Sequence, residues 1–258
     1  MMQLTEKEEQ ARKRVCLALD NIDAPGQAID LADNLHGLIG MLKVGKELHT
    51  TSEYNPFDGR SIIDCLYVQG GGGIKIFGDL KFHDTPNTVY RASRAITVPG
   101  VGIFNLHVEG GEAMCRKAVE GAYEEAQKKG IERPKVIGVT VLTSLNDKDL
   151  VEQGLANSVD YYVQKRTELA KRWGLDGVVC PANKAGEMER RFGTDFMYVT
   201  PGIEWGGKKG EGQKQLYTPD MAVRDCSNSI LVIGSAITKA QNKRETAYQI
   251  LQAMAAQI

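Results

Sequence analysis

In the stretch GDLKFHDTPNT, residues 78–88, Asp79, Lys81 and Asp84 set two carboxylates and an ammonium within six positions. A solvated charged turn after a strand has the same composition. The flanks add a second reading, because the apolar run IKIFG leads into the cluster, Phe77 and Leu80 flank it, and Pro86-Asn87 closes it. If that run is a buried strand, the charges stand at its C-terminal mouth. A carboxylate fixed there repels the carboxylate of a bound substrate, and a flanking ammonium can donate a proton where CO₂ leaves. Such a field suits a developing carbanion better than it suits the ground state. That chemistry calls for neither a metal nor an organic cofactor.

A charged cluster works only if the chain holds it in place, and the apolar pattern says how. Short runs rich in Val, Ile and Leu recur at 14–20, 40–45, 74–82, 101–108, 135–143, 176–181, 196–203 and 229–237. Near-continuous apolar runs of this length fit strands buried on both faces, as in a parallel sheet. Segments of helical periodicity lie between them. In 111–130, Ala113, Cys115, Ala118, Val119, Ala122 and Ala126 form an apolar stripe, and Gly130 is placed to cap the end. Residues 158–174 behave similarly, and 242–258 close the chain as a helix.

Eight strand–helix units in about 250 residues match a (β/α)8 TIM barrel, here read as one domain over 1–258. An open doubly wound sheet is the alternative, but LALDNIDAPGQA after the first strand lacks the Gly-rich dinucleotide loop. The glycines of VQGGGGIK, 68–75, precede a strand rather than a helix and are followed by no GK[ST], so they read as a connector.

In such a barrel the functional residues lie at the C-terminal strand ends. Those ends gather scattered charges into one set: Asp20 after strand one, Lys43 on strand two, and Asp79 and Lys81 on strand three with Asp84 just beyond. His107 follows on strand four, Thr143-Ser144 on strand five, Pro201-Gly202 on strand seven and Gly234-Ser235 on strand eight. Residues 79 and 81 share a face by alternation and can both point inward towards Lys43. An alternating Lys-Asp-Lys-Asp array pairs charges that would be expensive to bury singly. From the residues alone two readings stand: a decarboxylase or related proton-transfer enzyme on a phosphorylated substrate, and a barrel enzyme of unspecified reaction.

Composition narrows the partners. A net charge of −1 with both signs dispersed offers no basic stripe for nucleic acid. No apolar run approaches the roughly 18 residues that would suggest a membrane span. The opening MMQLTEKEEQARKR lacks the apolar core of a signal peptide and reads as a frayed or helical lead-in. Five scattered cysteines, never in CxxC, read as small buried hydrophobes in a reducing, cytoplasmic setting. Four histidines show no metal-ligand spacing.

DLKFHDTPNT resembles the signature DxKxxDxPNT of the orotidine 5′-monophosphate decarboxylase family. The resemblance extends over nearly the whole chain, in family order and spacing: LALD at 17–20, LKVG at 42–45, LHVEGG at 106–111, VTVLTS at 139–144, LDGVVCPA at 175–182, VTPGI at 199–203 and YTPDMA at 217–222. It implies decarboxylation of orotidine 5′-monophosphate to UMP in pyrimidine biosynthesis, without metal or cofactor. Carried over, Lys81 would protonate C6 as CO₂ departs, Asp79 would press against the substrate carboxylate, and Lys43 would bridge Asp79 and the ribose. Asp84 and Thr85 would enter the neighbouring subunit's site, implying a homodimer with shared active sites. Asp20 would bind a ribose hydroxyl, Thr143 and Ser144 the pyrimidine edge, and Gly202, Gln213, Gly234 and Ser235 the phosphate. The resemblance gives neither His83 nor His107 a catalytic role, and packing or hydrogen bonding is expected for both.

One departure bears on the phosphate. The family commonly reads TPGIR and VGR after strands seven and eight, the second arginine gripping phosphate bidentately; here those positions are Glu204 and Ser235. The phosphate would rely on backbone N–H groups near Gly202, Gly234 and Ser235, on Gln213, or on a lysine of WGGKKGEGQKQ. Two rivals remain. A sugar-phosphate sibling (3-keto-gulonate phosphate decarboxylase or hexulose phosphate synthase) shares Asp-x-Lys-x-x-Asp but binds Mg²⁺ and lacks the PNT. A non-catalytic nucleotide-binding barrel would explain the missing arginine and leave the Lys-Asp array unexplained.

Overall fold

The computed structural model describes residues 3–22, 24–51, 61–71, 73–206 and 217–258. Eight parallel strands close into a barrel in sequence order. They are β1 (Val15–Ala18), β2 (Met41–Gly45), β3 (Lys75–Phe82), β4 (Val101–His107), β5 (Lys135–Val139), β6 (Gly177–Val179), β7 (Met197–Thr200) and β8 (Ser229–Ile233). The last strand pairs with the first through Cys16↔Val232, which closes the sheet. All eight apolar runs hold strands, each shorter than the run that marks it. A continuous apolar run carries on into the turn beyond the last ladder bond, so Asp20 stands two residues past β1, and Thr143 and Ser144 lie well past β5.

Period-two alternation fills the interior. Cys16 and Ala18, Met41, Phe77, Ile103, Ile137, Val199 and Val232 pack into one apolar cluster contributed by seven strands. The opposite faces join a larger shell with the helices, including Leu17, Leu42, Ile76, Phe104, Val136 and Tyr198. Each fully buried Leu, Ile or Val contributes roughly 1.5–3 kcal/mol, so this double layer supplies most of the fold's stability. The inner plug also sets where the charges go. Two residues on from Met41, Phe77 and Ile103 come Lys43, Asp79 and Asn105, so the next layer towards the C-terminal mouth is polar.

The expected helices form. Glu112–Lys129 ends at Gly130, whose φ of 64° and ψ of 35° place it in the left-handed region that glycine tolerates. Its buried face takes Met114, Cys115, Ala118, Ala122 and Ala126; Ala113, expected in the stripe, is exposed, because the face begins one residue later. The N-terminal segment is helical over Glu6–Lys13, fixed by a reciprocal Thr5–Glu8 capping box. None of the five cysteines is in a disulfide, and Cys16, Cys115, Cys180 and Cys226 are buried. The glycine-rich connector precedes β3, at the end of the barrel away from the charged mouth.

Candidate active site

Three strands build the site. The Lys43 ammonium on β2 donates to Asp20 Oδ1 at 2.7 Å and lies 3.0 Å from Asp79 Oδ2 on β3. The Lys81 ammonium donates to Asp79 Oδ1 at 2.6 Å. From β4, Asn105 donates its amide N–H to the same oxygen at 2.7 Å. Asp79 thus has both oxygens engaged by two cations and an amide. The side chains of Lys43 and Asp79 are only 7% and 12% exposed, against 30% for Lys81 and 48% for Asp20. The inner pair is therefore insulated, while its outer partners meet the cavity.

Burial works against both inner charges, and the partners win. Burial pushes the Asp79 carboxyl up, but Lys43, Lys81 and the Asn105 amide together hold it below the usual carboxylate range. Burial likewise pushes the Lys43 ammonium down, and Asp79 and Asp20 more than reverse it, leaving its pKa raised. Both stay charged through neutral pH. Removing Lys43 or Asp79, the inner pair, leaves an uncompensated buried charge, a loss of roughly 3–5 kcal/mol.

Lys81 does not reach Asp79 by simple alternation. The β3–β4 register shifts between Gly78 and Phe82, and Lys81 has φ +51°, a left-handed conformation costing a non-glycine residue on the order of 1–3 kcal/mol. The bulge turns the side chain back towards Asp79. Asn105 holds it there by accepting the Lys81 backbone N–H at 2.7 Å. Sequence reasoning passed over Asn105, which is 1% exposed. The signal was present: a lone amide two residues after Ile103, inside the apolar run IFNLH.

Small residues make the space. A Cβ on Gly45 would lie 3.0 Å from Asp20 Oδ1 and 3.5 Å from the Lys43 ammonium nitrogen. A Cβ on Gly78 would stand 2.5 Å from Ile96 Cδ1, so this glycine lets the helix Pro86–Ile96 pack on β3.

The array lies in the wall of a cavity of about 630 Å³ at the C-terminal mouth, a volume suited to a nucleotide-sized ligand. Of the expected residues, Asp20, Lys43, Asp79, Lys81, Thr143, Gly202, Gly234 and Ser235 line it together. Asp84, Thr85 and Ser144 do not. Asp84 is exposed in the turn after β3, its Oδ1 accepting the Thr85 N–H at 2.6 Å at the start of the helix Pro86–Ile96. Gln213, Lys208 and Lys209 lie outside the described residues. His83 and His107 pack with ring centroids 5.4 Å apart and planes tilted by 38°, and are not part of the cavity wall; burial holds the His107 imidazole below its ordinary range. Among the described residues no three His, Cys, Asp or Glu side chains are grouped to hold a metal ion.

Residues 13–250 match the family described as "Orotidine 5'-phosphate decarboxylase / HUMPS family". The chain belongs to this family. An orotidine 5'-phosphate decarboxylase of Alcanivorax borkumensis is 39% identical over 241 residues, 93% of this chain and 97% of that protein. One from Chromobacterium violaceum is 38% identical over 92% of this chain and 90% of that protein. Among solved structures, orotidine 5'-phosphate decarboxylase from Lactobacillus acidophilus superposes with a TM-score of 0.76 at 32% identity, covering 93% of this chain and 98% of that one. The first Asp and the Lys of the Asp-x-Lys-x-x-Asp segment that gives the family resemblance are thus the same Asp79 and Lys81 that stand in the cavity wall.

Proposed function

We propose that the protein is a carboxy-lyase converting orotidine 5′-monophosphate to UMP in pyrimidine biosynthesis, with Lys81 as the proton donor. The observation that carries this reading is the Asp79–Lys81 contact of 2.6 Å, locked by Lys43 and Asn105 at the floor of a nucleotide-sized cavity. With the pyrimidine seated so that its carboxylate faces Asp79, two anions oppose each other in the ground state. As the C6–CO₂ bond breaks, its electron pair stays on C6 and the charge moves away from Asp79 towards the Lys81 ammonium. Transfer of one ammonium proton to C6 completes UMP; the neutral amine then regains a proton from water. The positive charges are in place before the reaction, so little reorganisation accompanies it.

The remaining roles follow from position. Lys43, between Asp79 and Asp20, orients the array and reaches the ribose with Asp20. Thr143 faces the pyrimidine edge, and Ser144, further out on the same loop, joins it when that loop meets the ligand. Gly202, Gly234 and Ser235 take the phosphate end, and the family resemblance adds Gln213, which lies outside the described residues. Asp84 and Thr85, exposed and away from their own cavity, serve the partner's site in a homodimer of single-barrel subunits working in the cytoplasm.

The reading is tested by following pyrimidine absorbance and CO₂ release from orotidine 5′-monophosphate with and without EDTA. Turnover that survives chelation is expected. Turnover lost to EDTA and restored by Mg²⁺ would move the assignment to a sugar-phosphate chemistry within the same family.

A further inference from the structure

Among the described residues, seven charged side chains line the cavity. Asp20, Lys43, Asp79 and Lys81 neutralise one another. Glu204, buried four residues past β7, is engaged in an interaction of its own. The other two are Lys239 and Lys243, and among the described residues neither ammonium has a carboxylate within ion-pair distance. Among the described residues the cavity is therefore asymmetric: a self-neutralised array from the ends of β1, β2 and β3, and two cations beyond β8 without an ion-pair partner.

The placement of Lys243 is not what helix stability would select. Lys243 is the first residue of the helix Lys243–Ala255, where the macrodipole disfavours a cation. It is half-buried, and its nearest polar partner is the Ala240 carbonyl at 3.5 Å. Lys239, four residues earlier, is exposed at the end of the short helix Ser235–Thr238. The hydroxyls of Ser235 and Thr238 line the same wall. In (β/α)8 barrels the loops after the seventh and eighth strands form the usual phosphate site. A phosphate monoester carries close to two negative charges near neutral pH, matching two ammonium groups. Ser235, standing where the family commonly has a long guanidinium, leaves room for ammoniums to approach from the following turn.

We infer that Lys239 and Lys243 together form the cationic grip on the substrate's phosphate, replacing the arginine that this chain lacks at position 235. The inference rests on the nucleotide reading above and names the residues that recognise the nucleotide's anionic end. Lysine carries its charge at one flexible point rather than on a planar fork, so the pair recognises charge more than orientation.

The test is a cross between side-chain and phosphate deletion. Affinities for UMP and for uridine are measured by calorimetry on the full chain, wild type and Lys239→Ala, Lys243→Ala and the double variant, with Lys239→Arg as the conservative control. KM for orotidine 5′-monophosphate is measured in parallel. Each alanine is expected to weaken UMP about 10-fold or more, the range of one charge-assisted hydrogen bond, with the double variant weaker still. Uridine affinity should move less than about twofold, and Lys239→Arg should restore most of the UMP affinity. Equal weakening of UMP and uridine, or no change in either, would overturn the inference. If the wild type fails to release CO₂ while the lysines still discriminate UMP from uridine, the anion site stands and the decarboxylase reading falls.

Discussion

Asn105 is the residue on which the geometry of the charged array most depends, and Asn105→Ala measures that dependence. Its amide donates to Asp79 Oδ1 and its carbonyl accepts the backbone N–H of Lys81, each at 2.7 Å. Truncation removes a hydrogen bond to a charged group, roughly 1.5–3 kcal/mol, and leaves the Lys81 N–H without its acceptor, roughly 1–3 kcal/mol more. A stability loss of about 3–5 kcal/mol follows, large against the 5–15 kcal/mol typical of a domain. The kinetic effect is separate. Once Asp79 can rotate and Lys81 can leave its left-handed conformation, the proton donor loses its aim. Forfeiting one charge-assisted contact in the transition state lowers kcat by about 10²-fold. Asn105→Asp restores an acceptor for Lys81 but sets a second carboxylate against Asp79, and should be worse. Denaturant unfolding gives the first quantity and the absorbance assay the second. A destabilised Asn105→Ala enzyme with kcat within about threefold of wild type would refute the claim that this amide positions the reacting pair.

Other perturbations address neighbouring parts of the account. Gly45→Ala puts a methyl 3.0 Å from Asp20 Oδ1 and should raise KM several-fold by parting Asp20 from Lys43, with little change in thermal melting; an unchanged KM would show that the Asp20–Lys43 contact does not serve binding. Mixing inactive Lys81→Ala with inactive Asp84→Ala subunits should restore part of the activity if Asp84 works in the partner's site; no recovery despite demonstrated subunit exchange would mean unshared sites. The pH dependence follows from signs. Asp79 is depressed, so the stability it supplies is present above its unfolded pKa near 3.9 and is lost as pH falls through its lower folded value. Lys43 is raised, so its contribution is present below its unfolded pKa near 10.4 and is lost as pH rises through its higher folded value. Urea unfolding should therefore show a pair contribution that is flat from about pH 5 to 9, and a steep change near pH 7 attributable to either residue would contradict it.

Much of the barrel could be read from the chain because each strand advertises itself by an apolar run that only a doubly buried strand requires. The charged floor was legible for a related reason: Asp79 and Lys81 interrupt the run IKIFGDLKF, and a charge inside such a run must be paired. What escaped reading depended on geometry that composition does not encode. The bulge at Lys81 replaces plain alternation, and nothing in GDLKF marks the left-handed residue. Asn105 was hidden because a single amide in IFNLH carries no charge and its partners lie 24 and 26 residues away. Ser144 was placed with Thr143 because adjacent residues were read as one strand end, whereas β5 stops at Val139 and, of the two, only Thr143 lines the cavity. Lys239 and Lys243 look like ordinary solvated lysines in ITKAQNKRE; only the turn beyond β8 turns them towards the cavity.

Whether the Lys81 ammonium delivers the proton to C6 is decided by the variant Lys81→Ala. Rapid-mixing turnover of orotidine 5′-monophosphate at saturating substrate, alongside UMP affinity and melting temperature, separates chemistry from binding and folding. The side chain is 30% exposed at the cavity wall, so the fold and UMP binding should persist. A general acid contributes about 10²–10⁴-fold, so kcat should fall by at least about 10³-fold given the added loss of a charge beside Asp79. A Lys81→Ala enzyme that binds UMP, melts like the wild type and retains kcat within about tenfold would contradict the assignment of Lys81 as proton donor.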